Sequence, residues 1–241
     1  PGDTIYVEGS VHNYGDINIS KEIVIIGPGY FLTQNKKTHV NKKVAIFDDI
    51  DFNIGSENSI IKGVTTSYAS NSGIIINTDD ITIISCYIRD NLYLDKHSNE
   101  NLNNIAVKGC YFSATDYSVT HPSNYYGQFS NFIFSNNILN GSFSTPLGST
   151  GIINNNLFLS DKFKPRNTSS FQIYNNILYS DNPDEVSVQP LPDASVSHNI
   201  CISNILGTEN SNQAFVTEST LFVGEEENSS DGQYQLADNS P

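Results

Sequence analysis

The stretches Gly151-Ile-Ile-Asn-Asn-Asn156-Leu-Phe158 and Phe171-Gln-Ile-Tyr-Asn-Asn176-Ile-Leu178 decide the fold of this chain. Each stretch is a short run rich in β-branched or aromatic residues, followed by a polar pair and then by two apolar residues. Apolar runs of this kind form β-strands, and a polar pair between two of them indicates a sharp turn. One strand-turn-strand unit therefore occurs twice, with Asn156 and Asn176 separated by 20 residues.

The same unit recurs along most of the chain. Its second polar position falls at residues 86, 110, 137, 156, 176 and, more loosely, 199, and the intervals are 24, 27, 19, 20 and 23 residues. Similar runs near residues 59–64 and 23–27 place earlier copies before these. A period of about 23 residues is typical of a solenoid, in which each coil buries its apolar face only against its neighbours. We count about eight coils.

The composition favours an all-β chain over other classes. Hydrophobic residues make up 37% of the chain and charged residues only 16%, and Asn, Ser, Thr and Gly fill the gap rather than the residues that build helices. The Asn-Gly and Asp-Gly turns that join hairpins are nearly missing between the short strands. We therefore predict that the strands stack in parallel, coil on coil, as a single-stranded parallel β-helix.

The repeated asparagines predict how the coils are held together. Asn137, Asn156, Asn176 and Asn199 fall at the same turn of successive coils, where each side-chain amide can donate to the next carbonyl oxygen in an internal ladder. Asn also tolerates the left-handed backbone that a sharp turn requires. Cys86 and Cys110 occupy the same column one coil apart, so a disulfide between them is conceivable.

Charge and hydropathy limit the partners. The net charge of −14 disfavours binding to nucleic acid and to anionic membrane surfaces, and no apolar run is long enough to span a bilayer. We expect one domain over residues 1–241, trimmed at both ends. The oligomeric state is left open by the sequence.

The repeats, the opening Pro1-Gly-Asp-Thr-Ile-Tyr-Val7 and the ending Asp231-Gly-Gln-Tyr-Gln-Leu236 resemble those of exported bacterial proteins of the pectate-lyase-like superfamily. The resemblance covers nearly the whole chain and implies a right-handed β-helix in an extracellular or cell-surface protein. That superfamily includes polysaccharide lyases, glycoside hydrolases, esterases, adhesins and tailspikes, so the resemblance is specific for the fold and weak for activity.

The resemblance also implies where a lyase would have its chemistry. Lyases of this superfamily place a Lys or Arg base beside a calcium ion held by carboxylates. Arg89, Lys108 and Lys62 are the candidate bases on neighbouring coils, and Asp79 and Asp80 are the candidate calcium ligands. A glycoside hydrolase is a weaker alternative, because the acidic pair and the histidine motif that accompany Asn-Thr-Asp in polygalacturonases do not follow Asn77-Thr-Asp79.

Aromatic residues suggest a binding face. Tyr125 and Tyr126 lie in a long insertion and are the candidates for stacking on sugar rings, whereas Tyr87 and Tyr111 are expected to stack within the solenoid. We expect a secreted or cell-surface domain that engages polysaccharide. The alternatives are a non-enzymatic adhesin or structural solenoid, and a tailspike-like trimer, which would show an exposed apolar flank along the coils.

Overall fold

A computed structural model of the chain describes residues 2–33, 41–68, 73–95, 100–114, 117–121, 127–159, 163–165, 170–179, 195–201, 222–223 and 235–236. Within these ranges all the regular secondary structure is β-strand, and the strands are short, from two to five residues. No helix in the described part of the chain has the length and hydropathy to cross a membrane.

Three long parallel sheets contain most of the strands. The nine-stranded sheet consists, in spatial order, of β1 (Asp3–Tyr6), β3 (Ile23–Ile26), β6 (Ile60–Lys62), β9 (Thr82–Ile84), β13 (Ala106–Lys108), β17 (Phe132–Ser135), β20 (Thr150–Asn154), β23 (Ser170–Tyr174) and β25 (Ser195–Ser197). The eight-stranded sheet consists of β4 (Ile46–Phe47), β7 (Thr65–Thr66), β10 (Tyr87–Ile88), β14 (Tyr111–Phe112), β18 (Ile138–Leu139), β21 (Leu157–Phe158), β24 (Ile177–Leu178) and β26 (Ile200–Cys201).

The seven-stranded sheet consists of β2 (Ile17–Ile19), β5 (Ile50–Phe52), β8 (Ile74–Ile76), β11 (Leu92–Leu94), β15 (Tyr117–Thr120), β19 (Ser142–Ser144) and β22 (Phe163–Lys164). Two small pairs complete the described strands: β12 (Leu102–Asn103) with β16 (Phe129–Ser130), and β27 (Phe222–Val223) with β28 (Gln235–Leu236).

The chain visits the three sheets in turn, and each strand pairs with its equivalent on the next coil. Ile61, for example, pairs with Ile25 on one side and with Ile83 on the other, in parallel. Crossovers between parallel strands of one sheet are right-handed in nearly all proteins, and here they repeat coil after coil, so the chain is a right-handed parallel β-helix and the fold prediction is confirmed.

The core lies between the three sheets and consists of stacked apolar columns. The alternation along each strand places every second side chain inside. One such column of the nine-stranded sheet is at most 1% exposed and consists of Ile25, Ile61, Ile83, Val107, Phe134, Ile153 and Ile173. Each coil supplies one residue to this column, so the apolar side chain of one coil is covered by those of the coils above and below.

The asparagine ladder is present as predicted from the sequence. The side-chain amide of Asn156 donates to Oδ1 of Asn176 (3.0 Å) and to the carbonyl oxygen of Phe134 (2.9 Å). The same pattern joins Asn137 to Asn156 and Asn176 to Asn199, and all four asparagines are at most 2% exposed. A buried amide whose donors and acceptor are bonded carries little desolvation cost, so the ladder stabilises the stack.

The left-handed backbone falls on a different residue from the ladder. The residue just before each ladder position has a φ between 51° and 68°, and these residues are Gly63, Ser85, Gly109, Asn136, Asn155, Asn175 and His198. The Asn-Asn pair therefore divides two roles that the sequence had suggested for one residue. The first Asn turns the chain on the surface, and the second Asn bonds the coils inside.

Cys86 and Cys110 extend the ladder column toward the N-terminus as free thiols. The backbone N–H of Cys86 donates to Sγ of Cys110 (3.5 Å), and that of Cys110 donates to Oδ1 of Asn137 (2.8 Å). Burial raises the pKa of Cys110 well above its ordinary value. In this column a sulfur atom therefore takes the acceptor position that an amide oxygen holds in the later coils.

Candidate functional site

Arg89 lies just after the end of β10, an interior strand of the eight-stranded sheet, and its guanidinium packs on two tyrosine rings. The guanidinium carbon is 4.9 Å from the centroid of the Tyr87 ring and 5.4 Å from that of the Tyr68 ring. The backbone N–H of Arg89 donates to Oγ1 of Thr66 on the preceding coil (2.9 Å). A cation over two aromatic faces gains roughly 0.5–2 kcal/mol from each, which fixes the side chain against the surface.

The guanidinium of Arg89 keeps most of its hydrogen-bonding capacity unused. Nε is buried and has no hydrogen-bond partner, and the side chain forms no ion pair with any residue in the described ranges. With Nε buried, the four N–H groups on the two terminal nitrogens are the donors that can bind a carboxylate or vicinal hydroxyl groups. The geometry therefore presents a positioned cation that lacks an anionic partner.

Tyr68 supplies the exposed ring beside this cation. The residue is 65% exposed, and its hydroxyl lies 3.2 Å from Oγ of Ser113. This hydrogen bond, helped by the charge of Arg89, lowers the pKa of Tyr68 from its ordinary value. An exposed, anchored ring next to an arginine can stack on one face of a sugar ring while its neighbour binds the substituents.

Tyr87 and Tyr111 contact each other outside the core, with ring centroids 5.2 Å apart and ring planes tilted by 58°. The strand neighbours of both tyrosines, Ile88 and Phe112, are fully buried, so the two tyrosines take the outward positions. The expectation that they stack within the solenoid is therefore wrong, because the strand alternation turns both rings to the outer surface. We call Tyr68, Tyr87, Arg89, Tyr111 and Phe31 the aromatic–arginine patch.

Residues Tyr30 and Phe31 cover part of this patch from an earlier coil. Phe31 packs against Tyr87 and Tyr111 at centroid distances of 5.3 and 5.2 Å and is 37% exposed. The Tyr30 hydroxyl donates to the carbonyl oxygen of Gly109 (3.0 Å), and burial raises the pKa of Tyr30 to about 12. The φ of Phe31 is 54°, a left-handed backbone that costs a bulky residue free energy. Packing on the two tyrosines offsets that cost.

Lys62 and Lys108, the other two candidate bases, lie in the nine-stranded sheet. Lys62 and Lys108 are the last residues of β6 and β13 in the nine-stranded sheet, with Ile84 between them in register. Both are exposed, and neither forms an ion pair within the described part of the chain. They belong to a different sheet from Arg89, so the structure does not bring the three candidate bases into one cluster.

Asp79 and Asp80 lie at the opposite corner, before β9. Asp79 accepts hydrogen bonds from the backbone and side-chain N–H groups of Asn103 (3.0 and 3.1 Å), and Asp80 accepts one from the side chain of Asn104 (2.7 Å). The four residue steps from Asp80 to Ile84, the register partner of the two lysines, span at most about 13 Å at ~3.3 Å per residue. Lys62 and Lys108 therefore lie at the other end of these neighbouring strands from Asp79 and Asp80.

Calcium binding at Asp79 and Asp80 stays a prediction. Calcium takes six to eight oxygen ligands, and these two carboxylates are already acceptors in hydrogen bonds between coils. Among the described residues, no group of three or more His, Cys, Asp or Glu side chains is placed to hold a metal ion. Within the described part of the chain, Asp79 and Asp80 therefore have no third carboxylate beside them to complete a calcium site.

Two other carboxylates, Asp51 and Asp90, have raised pKa values. Burial raises the pKa of Asp51, with smaller contributions from Asp49 and Asp16, and Oδ1 of Asp51 is buried without a hydrogen-bond partner. Burial also raises the pKa of Asp90, beside Arg89 in the chain.

Tyr125 and Tyr126, the predicted sugar-stacking residues, lie outside the described residues. Tyr68 and Phe31 were not singled out from the sequence as partners of Arg89. A signal for the first contact exists in the repeat, since Tyr68 and Arg89 follow the column positions Val64 and Cys86 by four and three residues. The contact of Phe31 could not have been predicted from the repeat, because Phe31 lies in an insertion and has no equivalent position in other coils.

Comparisons with known proteins add little. No family model matches the chain, and no curated protein does. Among solved structures, that of QnrB1, a plasmid-mediated fluoroquinolone resistance protein, is similar over 90% of this chain and 91% of that chain, with 14% identity and a TM-score of 0.37. A likeness at this level says nothing about ligand or activity, and the fold assignment rests on the strand pairing of the chain itself.

Proposed function

We propose that this β-helix is a polysaccharide-binding domain of an exported or cell-surface protein, and that it binds glycan on the aromatic–arginine patch without cleaving it. The observation that carries the proposal is the guanidinium of Arg89, which lies over the rings of Tyr68 and Tyr87 and forms no ion pair with any described residue. We also propose that the chain belongs to the pectate-lyase-like superfamily, whose members include polysaccharide-binding and polysaccharide-cleaving proteins.

Binding is favoured over catalysis because of where the candidate groups lie. A lyase needs a base close to the carboxylates that hold its metal ion, and here Lys62 and Lys108 are about a strand length away from Asp79 and Asp80. Arg89 lies on another sheet. A stacking ring and a fixed cation, in contrast, are sufficient to bind a sugar and need no further group.

Acidic glycans are the proposed ligands, because an unpaired arginine gains most from a carboxylate. The net charge of −14 opposes this attraction at long range, so the complex should be weak at low salt and should depend on close contact. Neutral glycans would gain only the stacking contribution of Tyr68.

The experiment is affinity electrophoresis of the chain in gels containing acidic and neutral polysaccharides, followed by calorimetry on the best ligand. We expect Tyr68→Ala to lose binding to every ligand and Arg89→Gln to lose binding to acidic ones, each by about tenfold or more. Tyr6→Ala is the matched control, because Tyr6 is 75% exposed and lies on the first coil. Retention of full affinity by both patch variants would contradict the assignment.

Cleavage is tested in the same samples through the ultraviolet absorbance of an unsaturated product and through the release of reducing ends, with calcium and with chelator. We expect neither signal. A calcium-dependent absorbance that is lost on Lys62→Ala or Lys108→Ala would restore the lyase hypothesis. If no glycan binds at all, the structural solenoid remains as the better account.

A further inference from the structure

The outer face of the nine-stranded sheet carries a row across six strands that is apolar except for one threonine. Its members are outward-facing and in register, and they are Val24, Ile60, Thr82, Ala106, Ile133 and Ile152. Five of the six are partly exposed, and Ala106 is 9% exposed. Single exposed apolar residues are ordinary on a protein surface, whereas a contiguous apolar row marks an interaction surface.

Opposite charges border this row on its two sides. At the strand ends, Lys62 and Lys108 are exposed and have no ion-pair partner in the described ranges. At the strand starts, Glu57, Asp79 and Asp80 lie in the corner that leads into β6 and β9. The face is therefore apolar in the middle, basic along one edge and acidic along the other.

We propose that this face binds a second copy of the chain, forming a side-by-side dimer with its twofold axis parallel to the solenoid axis. In such a dimer the facing strands of the two copies run antiparallel. Each coil faces the same coil of the partner, at the same height along the solenoid axis. The basic edge of one copy then lies along the acidic edge of its partner. Glu57 precedes β6 and Lys62 ends it, so the two charges already lie at the same level along the axis.

The other face-to-face arrangement is disfavoured by charge. A twofold axis along the strands would set the two solenoids antiparallel, with lysines facing lysines and carboxylates facing carboxylates. Like charges across an interface cost free energy and select against that arrangement. The apolar row is compatible with both dimers, so the edges decide the orientation.

The size of the face sets the expected affinity. The nine strands of the sheet, spaced by about 4.8 Å, extend roughly 38 Å along the axis, and a width of about 13 Å gives roughly 1,000 Å² of total buried area for two copies. Specific interfaces usually bury about 1,200–2,000 Å², so this face lies below that range, and the dimer should be weak and readily reversible.

Sedimentation velocity over a hundredfold range of concentrations tests the proposal with the intact chain. We expect a reversible monomer–dimer equilibrium. Ile133→Asp and the double variant Lys62→Glu/Lys108→Glu should each raise the dissociation constant at least tenfold, the first by placing a charge in the apolar row and the second by placing like charges on both edges. Lys43→Glu/Lys164→Glu is the matched control, since it makes the same charge change away from this face and should not alter the equilibrium.

Thermal melts of each variant show whether it has folded, because all the substituted side chains are outward-facing. A chain that stays monomeric at the highest concentration overturns the proposal, and so does a trimer. A dimer that both face variants leave unchanged overturns the assignment of the face.

Discussion

Asn137 and Asn156 are joined twice through a single oxygen atom. Oδ1 of Asn156 accepts a hydrogen bond from the backbone N–H of Asn137 at 2.9 Å and another from the side-chain amide of Asn137 at 3.1 Å. The amide of Asn156 in turn bonds the carbonyl oxygen of Phe134. Because the same amide also donates to Oδ1 of Asn176, one side chain bonds buried groups on the coil before it and on the coil after it.

Replacing Asn156 by Ala should be among the most destabilising single changes in this chain. It removes the four hydrogen bonds of the Asn156 side chain and takes the acceptor from the buried backbone N–H of Asn137, so at about 0.5–1.5 kcal/mol for each bond the free energy of unfolding should fall by roughly 3 kcal/mol or more. Urea unfolding followed by far-ultraviolet circular dichroism measures this loss. A change below about 1 kcal/mol would show that water or a neighbour replaces the ladder.

The preceding residue, Asn155, should behave differently because it is exposed and has a φ of 56°. Asn155→Gly should change the free energy of unfolding by less than about 0.5 kcal/mol, whereas Asn155→Val should cost about 1–2 kcal/mol because a β-branched residue resists the left-handed backbone. The same urea experiment measures both. Equal effects of Gly and Val would mean that the turn is not held in this conformation.

Tyr30 should be among the last tyrosines to ionise. Its pKa is raised to about 12, chiefly by burial, so the folded state keeps this proton between pH 10 and 12 while the unfolded chain loses it. Since the folded state binds more protons in that window, its stability falls as pH rises through it. Spectrophotometric titration of the wild type and of Tyr30→Phe should differ by one high-pH transition. Loss of the bond to Gly109 should also cost about 1 kcal/mol.

Asp51→Asn should stabilise the chain near neutral pH. The pKa of Asp51 is raised above its ordinary 3.8 by burial and by Asp49, so the folded state binds a proton there more tightly than the unfolded chain does. The stability contributed by this carboxyl is therefore greatest below its unfolded pKa and falls as pH rises through the folded pKa. Melting temperatures from pH 3 to 8 should show a flatter profile for the variant. A lower melting temperature for Asp51→Asn at pH 7 would contradict the raised pKa.

The three cysteines should resist alkylation in the folded protein. Cys86, Cys110 and Cys201 are free thiols and at most 2% exposed, and burial holds the pKa of Cys110 high, which suppresses the reactive thiolate. Mass spectrometry after treatment with iodoacetamide should show no label under native conditions and three labels in denaturant. Two missing labels in denaturant without reductant would instead show a disulfide between two of the cysteines.

The repeat made the fold predictable because coil structure depends on local patterns. Apolar alternation, the Asn-Asn pairs and the interval of about 23 residues are all visible in the sequence, and each has one physical role in the solenoid. The division of labour within the pair was not predictable, since Asn satisfies both the turn and the ladder. Only the register shows that Asn155 turns the chain and that Asn156 bonds it.

The candidate site was harder to predict, because it depends on distances between sheets. Arg89 was singled out for its charge, but its contact with Tyr68 spans two coils, and Phe31 reaches the patch from an insertion that has no repeat position. Lys62 and Asp80 lie on neighbouring coils in the sequence, yet the strand between the two corners keeps them apart. The repeat pattern shows which coil a residue belongs to. It does not show which corner or face of the solenoid the side chain occupies.

The ladder also defines the unit in which such a chain can change its length during evolution. Asn137 and Asn156 are 19 residues apart, while other neighbours in the column differ by up to 27, because the loops absorb the difference and the bonded atoms do not move. A deletion that begins at one ladder asparagine and ends just before the next leaves every remaining bond with a partner of the same kind. Gene duplication and loss can therefore lengthen or shorten this solenoid by whole coils, whereas a deletion of half a coil would misalign all three sheets.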